Sequence, residues 1–304
     1  MVLLARSHKL SSKLDNHHGH QQEAENASLE AFKCEISKYL IQFSLYSKSR
    51  SEILTFSWVR QCLQLLPSMR NAFGKLMVDI DYPMSKWQVP SVDEYMRESL
   101  KLLELLNSIT SSLSHLGQSR MSLSYALSLL ENSPPLAMEL LEAVEPLGSI
   151  KKWEGEETEA GGEVARCSSG KEWVICQAMA IMKVVGFWVG GVVASSLCGD
   201  MESCVKLRKV IGDFPISSLM NLHLSVCEEM ENGGLFEVRE INKGVAQLVA
   251  VTCGEPSSDV VEELQRRVDI LGKLLKDVEE EVNGLFSEVM LERNDLLSGL
   301  RQKQ

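Results

Sequence analysis

WVICQAMAIMKVVGFWVGGVVASSLC, residues 173–198, is the stretch on which the architecture turns. It holds one charge, Lys183, and one amide, Gln177. Residues 184–198 are uncharged and include Gly186, Gly190 and Gly191. The length suits one bilayer crossing, which takes roughly 20 apolar residues. Lys183 opposes that reading, because a cation near the middle of a span costs about 2.5–3.5 kcal/mol unless it snorkels. The uncharged run after Lys183 is also short for a full span. Small residues let helices approach closely in water as in lipid. A core helix buried by its neighbours is the expected state. A membrane span or re-entrant segment from Trp173 to Cys198 is the alternative.

A core helix needs other helices around it, and the rest of the chain supplies them. Val260, Leu264, Val268, Leu271, Leu275, Val278, Val282, Leu285 and Val289 recur every three or four residues, and Leu296, Leu297 and Leu300 extend the seam. That spacing is one face of a long helix, on the order of 60 Å. It suits the spine of a bundle, with a coiled-coil partner surface as the alternative. Toward the N-terminus, Leu29, Phe32, Ile36, Leu40 and Phe43 form a similar stripe. Ser51 and Glu52 open a second helix, with Ile53, Phe56, Val59, Cys62, Leu63 and Leu66 inward. Pro67 kinks or splits it.

The breaker-rich stretch from Asp81 to Pro90 is a loop. Ser91 and Glu94 have capping-box spacing ahead of a long helix carrying Leu100, Leu103, Leu106, Ile109, Leu113 and Leu116. Gly117 is a possible interruption before Met121–Leu130 resumes the pattern. Asn132-Ser-Pro-Pro135 ends that helix, and a short one over Leu136–Leu147 follows. Further helices are expected over Glu202–Val210, Pro215–Glu231 and Glu237–Val251. No solenoid-period repeat is present. The fold class is all-α: an elongated multi-helix bundle with a long C-terminal helix and a central apolar helix.

Four segments follow. Residues 1–22 are a disordered N-terminal tail. Residues 23–150 are an N-terminal helical part. Residues 151–170, with Glu154, Glu156, Glu157, Glu159 and Glu163 among Gly and Ser, are an acidic flexible linker. Residues 171–304 are a C-terminal helical part that packs with 23–150 as one bundle. Residues 1–14 carry Arg6, Lys9 and Lys13, several serines and no acid, a composition weakly like an organelle transit peptide. A polar tail is the simpler reading, and His17, His18 and His20 in it lack a partner at metal-site spacing.

The totals exclude some functions. Apolar residues are 44% of the 304, enough for a sizeable core, and the net charge of −11 disfavours nucleic acid as a partner. None of the eight cysteines is spaced as CxxC, and several sit inside apolar helical runs, as expected of a reduced intracellular protein. There is no GxxxxGK[ST] loop, no GxSxG elbow and no HExxH pair. His115 and His223 read as packing or surface residues. Glu228-Glu229 and Glu279-Glu280-Glu281 read as solvated helix faces. Trp58 and Trp87 read as aromatics pinning loops to the core. No catalytic, cofactor or metal residue is expected.

LTFSWV (residues 54–59), DYPMSKW (81–87), VDEYMRESLKLLELLN (92–107), VNGLF (282–286), RNDLL (293–297) and LR (300–301) together resemble the BYPASS family of plant developmental proteins. The apolar stretch 186–197 is similar to that family too, while the acidic stretch 154–163 departs from it. The resemblance runs from about residue 25 to the C-terminus and rests on packing motifs. It implies a helical, non-enzymatic regulator of root and shoot development, linked to restraint of a root-derived mobile signal. No catalytic residues carry over. The expected partners are proteins of unknown identity. Members have been described as chloroplast-directed, membrane-associated or cytosolic, and a related helical family contacts a subunit of the exocyst tethering complex. Cytoplasmic location is expected, with the chloroplast, or a trafficking or organelle membrane, as alternatives.

Overall fold

The structure is a computed structural model. It describes the backbone of residues 2–46, 53–148, 170–211, 217–250 and 258–301, and within these the side chains of residues 21–45, 53–148, 170–209, 211, 219–250 and 258–299. Within these residues the chain is helical with short connections, and no strand occurs. The acidic segment 151–169 and the side chains of His17, His18 and His20 lie outside the described set.

Helix α10 (Ser258–Arg301) carries the long seam. Leu264, Val268, Leu271, Leu275, Val278, Val282, Leu285, Val289 and Leu296 are buried, while Val260 and Leu297 at its ends are exposed. At 44 residues it spans about 66 Å. Its apolar stripe packs chiefly on α4 (Val89–Ser128), α9 (Phe236–Ala250) and α2 (Phe56–Leu63). The spine therefore lies within the chain.

Helix α1 (Val2–Tyr46) buries Leu29, Phe32, Ile36, Leu40 and Phe43. It reaches back through the segment expected as a disordered tail. Residues 2–22 contain no proline and one glycine, so nothing in them breaks a helix. Helix α2 begins later than the sequence suggested. Thr55 caps it, accepting from Trp58 N–H at 3.1 Å, and Ile53 and Leu54 are buried ahead of it. The chain breaks at Gln64, and Pro67 sits in the first turn of α3 (Leu65–Asp79), where a missing N–H costs nothing.

Helix α4 starts at Val89, with Pro90 in its first turn. The expected Ser91–Glu94 capping box does not form, since Ser91 lies inside the helix and Glu94 pairs with Lys183. Gly117 does not interrupt α4 either: Leu113, Leu116 and Leu123 are buried on both sides of it, and that burial outweighs about 1 kcal/mol of poor propensity. Leu100 faces solvent, while Ser99 and Leu103 face inward.

The expected helix over Leu136–Leu147 is shorter. Helix α5 (Pro134–Leu140) ends before an extended Leu141. The following irregular strip is stitched to α9 by Asn242, which accepts from Val144 N–H at 2.7 Å and donates to Val144 O at 3.0 Å. A second stitch joins α9 to the start of α2. Phe236 N–H donates to Leu54 O at 2.9 Å, and the Glu237 carboxylate accepts from Phe56 N–H at 3.1 Å. Leu54 adopts φ 58° there, an unusual angle for leucine held by these bonds.

Helix α6 (Lys171–Cys198) is the apolar segment. It packs against α4, α1, α2, α3 and α7 (Met201–Ile211). Every residue from Trp188 to Cys198 is buried. Gly199 ends it in the left-handed conformation at φ 67°, and Asp200 N–H returns to Ser195 O. Helix α8 (Ser217–Glu231) then packs on α7 and α1.

Candidate functional site

The six residues singled out on α6 do different work. Trp173 is half-buried against the core at the N-terminal end. Beside it, buried Glu172 ties the 81–88 loop down, accepting from Tyr82 O–H at 2.6 Å and from Gln88 N–H at 3.3 Å. Lys183 lies between two acids of α4, 3.3 Å from Glu94 and 3.1 Å from Glu98. Arg97 and Lys101 join the same cluster. The single charge of the apolar stretch is thus paired, with its side chain 28% exposed.

Gly190 marks the closest approach of α6 and α4. A Cβ there would lie 1.7 Å from Leu105 Cδ2 and 2.9 Å from its Cγ, so only hydrogen fits. One turn earlier, a Cβ on Gly186 would meet nothing nearer than Leu66 Cδ2 at 3.9 Å. Gly191 is buried. Cys198 is buried with its Sγ 3.1 Å from Ser112 Oγ. Burial holds its thiol above the ordinary cysteine value.

Where α6 diverges from α4 beside α3, a cleft of about 110 Å³ opens. Met179, Met182, Phe187, Leu102 and Leu105 floor it, and Arg70, Tyr95, Glu98, Lys101 and Lys183 rim it. Its volume is well below the roughly 300–1,000 Å³ of small-molecule sites. The rim charges serve the fold. The Arg70 guanidinium forks onto the Glu292 carboxylate, which also accepts from Tyr95 O–H at 2.6 Å. Arg293 donates to Met96 O and Ser99 Oγ. These bonds clamp the end of α10 onto α3 and α4. Burial foremost, with Glu292 beside it, pushes the Tyr95 phenol well above its ordinary value, so it stays protonated and donates. No histidine or cysteine is among the described residues that line the cleft, and Lys183 and Tyr95 are engaged in the ion pairs and hydrogen bonds that hold the helices together.

The sequence reading missed the Arg70–Glu292–Tyr95 and Arg293–Ser99 ties. Their only trace is an Arg or Glu interrupting an otherwise periodic stripe. It did place the tryptophans correctly. Trp58 is fully buried against Phe43, ring centroids 5.2 Å apart. Trp87 stands in an edge-to-face run from Phe32 through Phe73 to Tyr95. It passed over one cluster, Cys204, His223 and Cys227, on α7 and α8.

Comparison with known proteins gives these helices a context. Residues 3–177 match the family model described as Protein ROH1-like. The chain is 27% identical over 290 residues to the Arabidopsis thaliana protein named Protein BPS1, chloroplastic, covering 84% of this chain and 79% of that one. It is 27% identical over 274 residues to UPF0496 protein 4 of Oryza sativa subsp. japonica, with 84% of this chain matched to 56% of the rice protein. The indica counterpart matches at 27% over 281 residues, 59% of its length. The chain thus spans a little over half the length of these rice relatives. No solved structure matches. With the family model covering more than half of the 304 residues and a BPS1 relative aligned across most of the rest, the chain belongs to the ROH1-like family of BYPASS-type plant proteins.

Proposed function

We propose that this protein is a non-enzymatic regulator of plant root and shoot development that works through protein–protein contacts on its helical surface. The observation that carries the reading is the division of α10 into two faces. Its inner face is fully used in packing, while its outer face displays Asp277, Glu280 and Glu288 with exposed Met290 and Leu291. A long, rigid helix of mixed acidic and apolar character suits a protein partner with a basic, partly apolar surface. The similarity to BPS1 and the BYPASS resemblance supply the developmental setting. The net charge of −11 weighs against nucleic acid as the partner.

Disruption of the gene in its source plant, followed by complementation, tests this. Loss should alter root and shoot growth. The wild-type chain should restore growth. A folded variant carrying Asp277→Lys, Glu280→Lys and Glu288→Lys should not. Full rescue by that variant overturns the surface mechanism, and normal growth without the gene overturns the developmental role.

One observation favours a second reading, membrane association in exocyst-linked trafficking or at an organelle surface. Helix α6 is long and apolar enough to cross a membrane, although 67% of its most apolar window is buried. The partner helices and the Lys183 ion pairs support the core reading instead, and with it a cytoplasmic protein. The name of BPS1 supports the chloroplast as the alternative location. Carbonate extraction separates the readings: quantitative release of the protein rejects an integral span, and retention rejects the core helix.

A further inference from the structure

Helices α7 and α8 bring three soft or borderline metal ligands together. His223 and Cys227 are four residues apart on α8 and share one face. Cys204 faces them from α7. Cys204 Sγ lies 3.6 Å from Cys227 Sγ, and Cys227 Sγ lies 3.6 Å from His223 Nε2. The three donor atoms all fall within 4.8 Å of one another. Tetrahedral zinc, with bonds of roughly 2.3 Å to sulfur and 2.05 Å to nitrogen, holds its sulfurs about 3.8 Å apart and sulfur and nitrogen about 3.6 Å apart. The cluster is preformed close to those spacings. The two cysteines are free thiols, not a disulfide.

The surroundings suit an ion. Cys204 and His223 are 0% and 1% exposed, and Cys227 is half-buried, which leaves a way in. The His223 ring is buried with Nδ1 unpartnered among the described residues, and Nε2 meets only a thiol, a weak partner. A metal bond gives the ring the strong interaction the protein does not. Two thiolates and one divalent zinc sum to zero charge, so the filled site buries no net charge. Arg208 lies close enough for its charge to act on both His223 and Cys227. Burial foremost holds the thiols of Cys204 and Cys227 above the ordinary cysteine value, and Arg208 offsets this only in part at Cys227, so an incoming ion has to displace the thiol protons.

We propose that Cys204, His223 and Cys227 form a zinc site that staples α7 to α8, with the fourth position of the tetrahedron open to water or an incoming ligand. Three protein ligands and one open position is a familiar zinc arrangement.

The 304-residue chain is the material for the test, with His8, His17, His18 and His20 replaced by glutamine in every form so that the N-terminal histidines do not bind metal. Under a phosphine reductant, the protein is equilibrated with zinc, passed over a desalting column and assayed by elemental analysis. The parent should retain one zinc per chain. Cys227→Ser, a near-isosteric change at the half-exposed ligand, should lose it while keeping the parent's far-ultraviolet circular dichroism. Cys34→Ser, at an exposed thiol away from the cluster, should retain it. Cobalt substitution should give a thiolate charge-transfer band that weakens in Cys227→Ser and in Cys204→Ser. Zinc should also raise the melting temperature of the parent but not of Cys227→Ser. Equal zinc retention by the parent and Cys227→Ser, or no retention by the folded parent, overturns the proposal.

Discussion

Helices α6 and α10 are both long and both essential to the core, yet they are placed by opposite means. Helix α10 has one apolar stripe and a charged outer face, and its stripe decides which way it turns. Helix α6 is apolar on every side, so no stripe orients it. It is oriented by fit, with Gly190 against Leu105 and Ser112 against Cys198, and by one paired cation, Lys183. An amphipathic helix has its facing set by its stripe before any single contact forms. The stretch of α6 buried all round, residues 188–198, depends on individual atoms at its closest approach.

The largest effects should be alike in the two helices. Trp188→Ala in α6 should cost about 3–5 kcal/mol and Leu271→Ala in α10 about 2–5 kcal/mol, since both side chains are fully buried. Urea unfolding of the purified protein measures both. A loss below about 1 kcal/mol for Trp188→Ala would mean that α6 does not rely on this core, and the comparison would fail at its root.

Next in size is the contrast within α6. Gly190→Ala places a methyl group inside van der Waals contact of Leu105 and should destabilise by about 1–3 kcal/mol. Gly186→Ala makes only ordinary van der Waals contact, 3.9 Å from Leu66 Cδ2, and should stabilise by up to about 1 kcal/mol through helix propensity. Opposite signs one turn apart are what placement by fit demands. Two losses of equal size would show that the two glycines serve a general flexibility instead.

The same contrast explains what the sequence disclosed. The α10 seam, the α1 stripe and the break near Pro67 were legible because three- and four-residue periodicity and proline act locally. The surroundings of α6 were not, because a run without a polar face gives the same pattern in a core and in a bilayer. The capping-box spacing at Ser91 misled because Pro90 and Gln88 set the start of α4 from outside that motif. The Arg70–Glu292–Tyr95 tie and the Cys204–His223–Cys227 cluster join residues from different helices, and in one sequence nothing local connects them.

On α10, the polar ties should matter more than the outer acids. Glu292→Gln weakens the fork to Arg70, whose side chain is 12% exposed, and the bond from Tyr95. Because the Glu292 side chain is itself 43% exposed, the loss should be modest, about 1–2 kcal/mol. Glu280→Gln, on the exposed face, should stay within about 0.5 kcal/mol. Equal costs would show that α10 is held by its overall charge and not by the clamp at its end.

The smallest expected effect concerns the outer charges near the start of α10. Arg266 and then Arg267 hydrogen-bond Glu263 and lower its carboxyl from the ordinary 4.5 to about 2. A carboxyl depressed in the folded state contributes stability that is complete above 4.5 and lost as pH falls toward about 2. Glu263→Gln removes that dependence, so the variant should lose less stability than the wild type between these values. Urea midpoints taken at intervals from pH 5 down to about 2 at low ionic strength would show the difference, and about 1 M salt should erase it by screening. A slope that survives high salt would place the Glu263 bonds in a drier setting than a solvated helix face. The outer face of α10 would then share in holding the helix, as the all-round packing of residues 188–198 does in α6.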